Sequence, residues 1–225
     1  MAQEQIARRR SAGISETISQ NKVLRNTYML LSLTLLFSAA TAGISMLLQV
    51  GHIVGIVSLL AGFGVLFAIH RYAESTTGLW LTFLFTGLLG FSLGPILNTY
   101  LTMLSNGGQI VMMALGGTGV IFIGLSAYAL TTKKDFSFLQ GFLMVGILLA
   151  VVASFAMLFF PVPLFSLALS GVFVLLMSGL ILFQTSQIIH GGETNYILAT
   201  VTLYVALYNL FTSLLRILAA FAGER

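Results

Sequence analysis

"FSFLQGFLMVGILLAVVASFAMLFFPVPLFSLALSGVFVLLMSGLILFQTSQIIHGG", residues 136–192, contains no Asp, Glu, Lys or Arg. A helix needs about 20 mostly apolar residues to cross a hydrocarbon layer about 30 Å thick. The stretch has room for two such helices, and Pro161-Val162-Pro163 interrupts it near its middle. It therefore reads as a pair of membrane-spanning helices joined by a tight turn. The same reading extends outward. Residues 26–70 and 75–132 are also free of charge, and each holds two spans. Their turns are Gln49-Val50-Gly51-His52 and Ser105-Asn106-Gly107-Gly108-Gln109. Residues 194–215 hold one more. The expected spans are 27–48, 53–70, 78–102, 109–130, 138–160, 164–189 and 196–221. The fold class is all-α: a polytopic, seven-helix transmembrane bundle.

Composition agrees. The chain is 58% hydrophobic and 7% charged, whereas soluble domains carry about 25% charged residues. A net charge of +4 spread over so few groups makes no basic patch, so no nucleic-acid partner is expected. Cysteine is absent, which excludes disulfides, thiolate metal sites and cysteine nucleophiles.

Residues 1–26 form a polar tail with Arg8, Arg9, Arg10, Lys22 and Arg25. The polar run from Ser11 to Asn21 follows the arginines where a signal peptide would be apolar. The tail therefore reads as a cytoplasmic extension before an uncleaved first span. The tail, the Arg71 loop and the Lys133-Lys134 loop carry eight of the ten basic residues. By the positive-inside rule these segments are expected in the cytoplasm. The division is then a tail at 1–26, a transmembrane domain at 27–222 and a short periplasmic C-terminus at 223–225. Arg216, near the far end of the seventh span, is expected to snorkel to the outer interface.

Lipid offers no hydrophobic reason for helices to associate, so small residues and hydrogen bonds must hold the bundle. Thr34, Ser38, Thr41 and Ser45 lie on one stripe of the first span. Gly87, Gly90, Gly94, Asn98 and Thr102 do so on the third, and Gly117 and Gly124 on the fourth. Thr202, Ala206, Asn209, Ser213 and Arg216 form a stripe on the seventh. These faces are expected to look inward as packing surfaces. Pro95 should kink the third span, with the Gly94/Asn98 neighbourhood supplying a partner for the freed carbonyl. A sharper reading makes Asn98, Gln184, Gln187 and Asn209 the lining of a polar cavity or ion path.

The chemistry of an enzyme is missing. All six acidic residues lie in the tail, the loops or the C-terminus. The three histidines sit at expected helix ends, with no metal-pair spacing. His190 lies near Glu193 and is a candidate for titration near neutral pH, although a solvated loop histidine is the plainer reading. No glycine-rich phosphate loop is present. Neither a cofactor nor a metal is expected.

Four segments carry a resemblance: "VLRNTYMLLSLTLLFSAATA" (23–42), "GFSLGPILNTYL" (90–101), "MALGGTGVIFIGLSAYALTTKKDFSFLQGFL" (113–143) and "FQTSQIIHGGETNYILATVTLYVALYNLF" (183–211). They resemble, in order, the Bax inhibitor-1 family, most of all its bacterial YccA branch. The resemblance implies a seven-helix protein of the bacterial inner membrane. It also implies association with the membrane protease FtsH and its regulators HflK/HflC, and modulation of FtsH by a poor substrate that occupies it. On that reading residues 1–26, with Arg8, Arg9, Arg10 and Glu16, are a candidate unstructured handle for the protease. Otherwise the tail only sets topology. Other family members leak calcium and carry a pair of aspartates, on helices six and seven, as a pH-sensitive latch. The positions matching that pair are Gln184 and Ala206 here, and neither can ionise. A calcium or cation leak is the alternative function, without that latch. Gln184 is expected to donate and accept hydrogen bonds inside the bundle.

Overall fold

The computed structural model describes residues 2–159 and 162–223. Within them are seven helices: α1 (Ala2–Leu47), α2 (His52–Tyr72), α3 (Thr76–Met103), α4 (Gly107–Thr132), α5 (Leu139–Phe159), α6 (Pro163–Ile189) and α7 (Tyr196–Gly223). All seven are long and apolar enough to cross a membrane, the spanning part of α1 being Gln20–Leu47. Each expected span is matched to within two residues at either end, except that the first begins at Gln20 rather than 27. The α2–α3, α3–α4 and α4–α5 turns are shorter than the sequence suggested. Pro161, Glu224 and Arg225 fall outside the described residues. One expectation changes: the polar tail, read as a candidate unstructured handle, is helical, because α1 runs from Ala2 onward. Nothing in residues 2–26 breaks a helix; the stretch has no Pro and a single Gly, Gly13.

Helix α7 is the centre of the bundle. It packs against α1, α3, α4 and α6, whereas α2 leans mainly on α3 and α5 mainly on α6. Ala199, Leu203, Ala206, Leu210 and Leu215 of α7 are completely buried. The three loops α2–α3, α4–α5 and α6–α7 emerge on one side, hereafter the charged face, with Arg71, Glu74, Lys133, Lys134, Asp135 and Glu193. The other three turns make the opposite face.

The α1–α3 seam follows the expected stripes. Thr34, Ser38 and Ser45 are buried, as are Gly87, Gly90 and Gly94 facing them. A Cβ at Gly90 would overlap the Ser38 carbonyl and the Thr41 hydroxyl, and one at Gly94 would overlap Ser45. Backbone approach this close is what small residues permit in lipid. Two tyrosines of α7 stitch the seam from behind. Tyr204 donates to Thr86 O of α3 (3.1 Å). Its oxygen must then accept from Ser38 Oγ of α1, 2.6 Å away. Ser92 donates to Leu89 O (2.7 Å), so the Tyr208 hydroxyl donates to Ser92 Oγ (3.0 Å).

Two packing expectations are corrected. Of the two glycines expected inward on α4 only Gly117 is: it is half-buried, and a Cβ there would lie 3.5 Å from Leu214 of α7, whereas Gly124 is exposed with nothing within 4 Å. The buried face of α4 runs through Ile110, Ala114, Thr118, Ser126 and Ala129. Asn98 does not serve the carbonyl freed by Pro95; its amide donates to Met46 O at the end of α1 (3.2 Å). Helix α3 runs unbroken through Pro95, whose ring packs against α2, where a Cβ at Gly55 would lie 3.0 Å from Pro95 Cγ.

The seam predicts a contrast between glycines. Gly90→Val should destabilise the protein by about 3 kcal/mol, because it over-packs against fixed backbone. Gly116→Ala, with nothing within 4 Å of its new methyl, should be neutral or stabilising by up to about 1 kcal/mol. Thermal melting of the detergent-solubilised protein, followed by size-exclusion, measures both.

Candidate functional site

The stretch from Phe183 to Tyr196 ends α6, turns, and begins α7. Its turn is built for sharpness. Gly191 has φ +74°, a conformation that suits glycine. The amides of Gly192 and Glu193 both donate to Gln187 O (2.8 and 3.1 Å), closing the end of α6. Asn195 then caps α7, its Oδ1 accepting from Ile197 N (2.9 Å) and Leu198 N (3.3 Å).

This turn ties the charged face together. Asn195 Nδ2 donates to Ala73 O of the α2–α3 loop (3.0 Å). Ser186, on the last turn of α6 and 1% exposed, accepts from Phe136 N (3.0 Å) and donates to Lys134 O (3.2 Å) of the α4–α5 loop. Gln187 Nε2 donates to Ser137 Oγ (3.0 Å). His190 places Nδ1 2.9 Å from Ser186 O and Nε2 3.2 Å from Lys133 O. A neutral imidazole can donate to only one of these two carbonyls. His190 is exposed, as expected of a loop histidine, and also lies within hydrogen-bond reach of the α4–α5 loop. A Cβ at Gly191 would sit 3.1 Å from Gln20 Nε2, so α1 passes beside the turn as well. Where the α2–α3 and α6–α7 loops meet they bound a cleft of about 350 Å³, with Glu74, Thr76 and Asn195 among its lining. Neither Ser186 nor Asn195 stood out in the sequence; the only signal was an Asn at the N-cap position of α7.

In the α4–α5 loop, Asp135 accepts from both the hydroxyl and the backbone N–H of Ser137. These bonds, the hydroxyl's first, hold its carboxyl below the ordinary 3.8. With the folded value depressed, their contribution is full above the unfolded pKa near ~3.9 and is lost as pH falls through the lower folded value. The loop is thus held intact at neutral pH.

The amides that the sequence grouped as a polar lining do not come together. Asn98 is engaged by Met46, Gln187 by Ser137, and Asn209 by Val205 O of its own helix (2.9 Å). Gln184 is the exception. It is 5% exposed, and its Nε2 has no partner, contrary to the bonding expected of it. Thr27 Oγ1 and Ser126 Oγ are likewise buried and unpartnered. These three atoms belong to one level of the bundle. Tyr28, next to Thr27, meets Thr185 at 3.3 Å and stacks on Phe122 with centroids 5.8 Å apart. Thr185 follows Gln184, and Phe122 lies one turn from Ser126 on α4. Ala206, the other latch-equivalent position, is fully buried on α7. Arg216 is exposed, with Nη1 3.4 Å from the buried Ser170 Oγ of α6. Arg8, Arg9, Arg10 and Glu16 lie on the first turns of α1, their side chains outside the described residues. Among the described residues no cluster of three metal-ligating side chains occurs.

Two substitutions one turn or less apart should act oppositely. Ser186→Ala leaves Phe136 N buried without an acceptor and should cost about 1–3 kcal/mol. Gln184→Leu removes an amide with no partner at Nε2, keeps most of the volume, and should be neutral or stabilising. Melting temperatures of the two variants, with proteolysis across residues 133–138 as a second readout, check the pair.

The comparisons with known proteins agree with this architecture. The pattern of the family described as "Inhibitor of apoptosis-promoting Bax1" (Bax1-I) matches residues 20–223. The "Modulator of FtsH protease YccA" of Escherichia coli strain K12 is 54% identical over 201 residues, covering 89% of this chain and 91% of that protein. The "Inner membrane protein YccA" of Escherichia coli O6:H1 gives the same figures. An "Uncharacterized membrane protein" of Vibrio cholerae is 48% identical, covering 93% and 94%. A family match over all seven spans, together with 48–54% identity to relatives along most of the chain, places this multi-pass membrane protein in the Bax inhibitor-1 family.

Proposed function

We propose that this chain is an inner-membrane protein that associates with the FtsH protease and modulates it by occupying it, in company with HflK and HflC. The role is one of binding, not of catalysis. The observation that carries the reading is the 54% identity, across 89% of the chain, to a protein named as a modulator of that protease. The charged face supports it. Its loops are fixed to one another by the α6–α7 turn, so a partner would meet a surface already ordered, at a reduced entropic cost of binding. The tail, with Arg8, Arg9, Arg10 and Glu16, enters the bundle on the same side as this face.

The charged face is the cytoplasmic one in this proposal, with the C-terminus in the periplasm. Eight of ten basic residues lie on the side of the tail and these loops. Because the chain has no cysteine, single reporters are clean. Lys134→Cys should resist a membrane-impermeant maleimide in whole spheroplasts and react after lysis, and Gln109→Cys should react in both. The reverse pattern would overturn the orientation.

Affinity purification of the full chain from native membranes should bring FtsH with it, and failure to do so sinks the partnership. Deleting residues 1–20 should lengthen the protein's half-life several-fold and relieve its effect on degradation of a reporter substrate. Unchanged turnover, with co-purification retained, would reduce the tail to a topology signal.

A further inference from the structure

Helices α1 and α4 touch at Tyr28 and Phe122. Beyond that contact they leave an apolar groove of about 440 Å³. Its walls are Leu35, Ala39 and Gly43 on α1 and Leu115, Gly119 and Phe122 on α4, and its floor is the tyrosine face of α7. Three properties say what fits it.

The first is length. On α1 the lining runs from Leu35 to Met46, about 16 Å at 1.5 Å per residue. That is half of a hydrocarbon layer about 30 Å thick, or one leaflet. The groove ends at Met46, one residue before α1 stops, and at Val111, one turn inside the start of α4. One end therefore meets the interface on the face opposite the charged loops, and the other closes near mid-membrane.

The second is chemistry. The hydroxyl-bearing lining residues are Ser38, Thr118, Tyr204 and Tyr208. All four hydroxyls are engaged within the protein: Ser38 with Tyr204, Tyr208 with Ser92, and Thr118 with Ala114 O at 2.7 Å. No hydroxyl proton is left to donate to a polar ligand, whereas a hydrocarbon requires no partner.

The third is open space on both walls: a Cβ at Gly43 or Gly119 would meet nothing within 4 Å. Walls left without neighbours forgo dispersion contacts that a flexible chain would restore.

We propose that the α1–α4 groove is a binding site for one acyl chain of a bilayer phospholipid, drawn from the leaflet opposite the charged face. The chain completes the packing between α1 and α4 over the half of their length where the protein itself does not. This site is separate from the charged face and does not depend on the protease reading.

The test uses the full chain in proteoliposomes containing phosphatidylethanolamine with a diazirine at mid-chain, with adducts mapped by mass spectrometry. Adducts should concentrate on Leu35–Met46 and Val111–Phe122, relative to the exposed Phe67 of α2 and Val145 of α5 in the same molecules. Gly43→Leu and Gly119→Leu fill the groove from opposite walls at positions with open space. Each should lower groove labelling about tenfold while leaving the Phe67 and Val145 signals unchanged. Labelling no greater in the groove than on those faces would overturn the site, as would labelling that both variants leave intact. Adducts replaced by crosslinks to a second copy or to another protein would assign the groove to that partner and also end the proposal.

Discussion

The hydroxyl of Tyr204 joins three helices at one point. It donates to Thr86 O of α3 and accepts from Ser38 of α1, while its own helix α7 runs through the middle of the bundle. In water such a bond would compete with solvent. In hydrocarbon, apolar side chains gain little by leaving lipid for protein, so packing and buried hydrogen bonds fix which helix faces meet. The ring is 1% exposed and leans edge-on against Phe85, at 5.9 Å between centroids. The glycines of α3 are what let this happen. With side chains at Gly87, Gly90 or Gly94, α1 would stand off and Ser38 would lie out of reach. Glycine seam and tyrosine bridge are therefore one device.

The parts of this design that are local in the sequence were readable from it. Charge spacing marked all seven spans, because a charged side chain in hydrocarbon is expensive and the chain concentrates its charges at loops. The α1 and α3 stripes were readable because hydroxyls and glycines at helical spacing have one plain use in lipid. The α4 stripe was so only in part. Gly117 faces Leu214 of α7 but Gly124 faces nothing: a missing side chain shows only that a close approach is allowed, not that one occurs. Ala114 and Thr118 offer a surface nearly as thin, and the bundle uses that one. Ser186 and Asn195 were missed for another reason. Their bonds reach backbone atoms 50 or more residues away, and sequence spacing carries no information about such loops. The bonding expected of Gln184 failed likewise, since a hydrogen bond needs a partner on another helix at the same depth.

The two halves of the bundle are held in different ways. Toward the charged face, polar ties link α1, α4, α6, α7 and two loops through Thr185, Ser186, His190 and Asn195. Toward the opposite face, α1 and α3 remain in contact, but α4 is parted from α1 by the groove. Gln184, Thr27 and Ser126 sit within the tied half, and their unpartnered atoms are neutral. Gln184 and Ala206 are both buried and carry no ionisable group, so neither position can titrate.

That asymmetry bears on how a membrane protein could act on a protease without doing chemistry. A modulator that binds by a preordered face spends less of its contact energy on ordering loops than one that must fold upon its partner. The charged face has this property because two of its loops are bonded to the third, the α6–α7 turn. If the tail is the handle proposed above, α1 is the helix withdrawn first, and its seam with α3, the Tyr204 bridge and the Tyr28–Thr185 contact all resist that withdrawal. Slow extraction of a substrate that occupies the protease would then follow from the same close packing that lets α1 assemble in lipid at all.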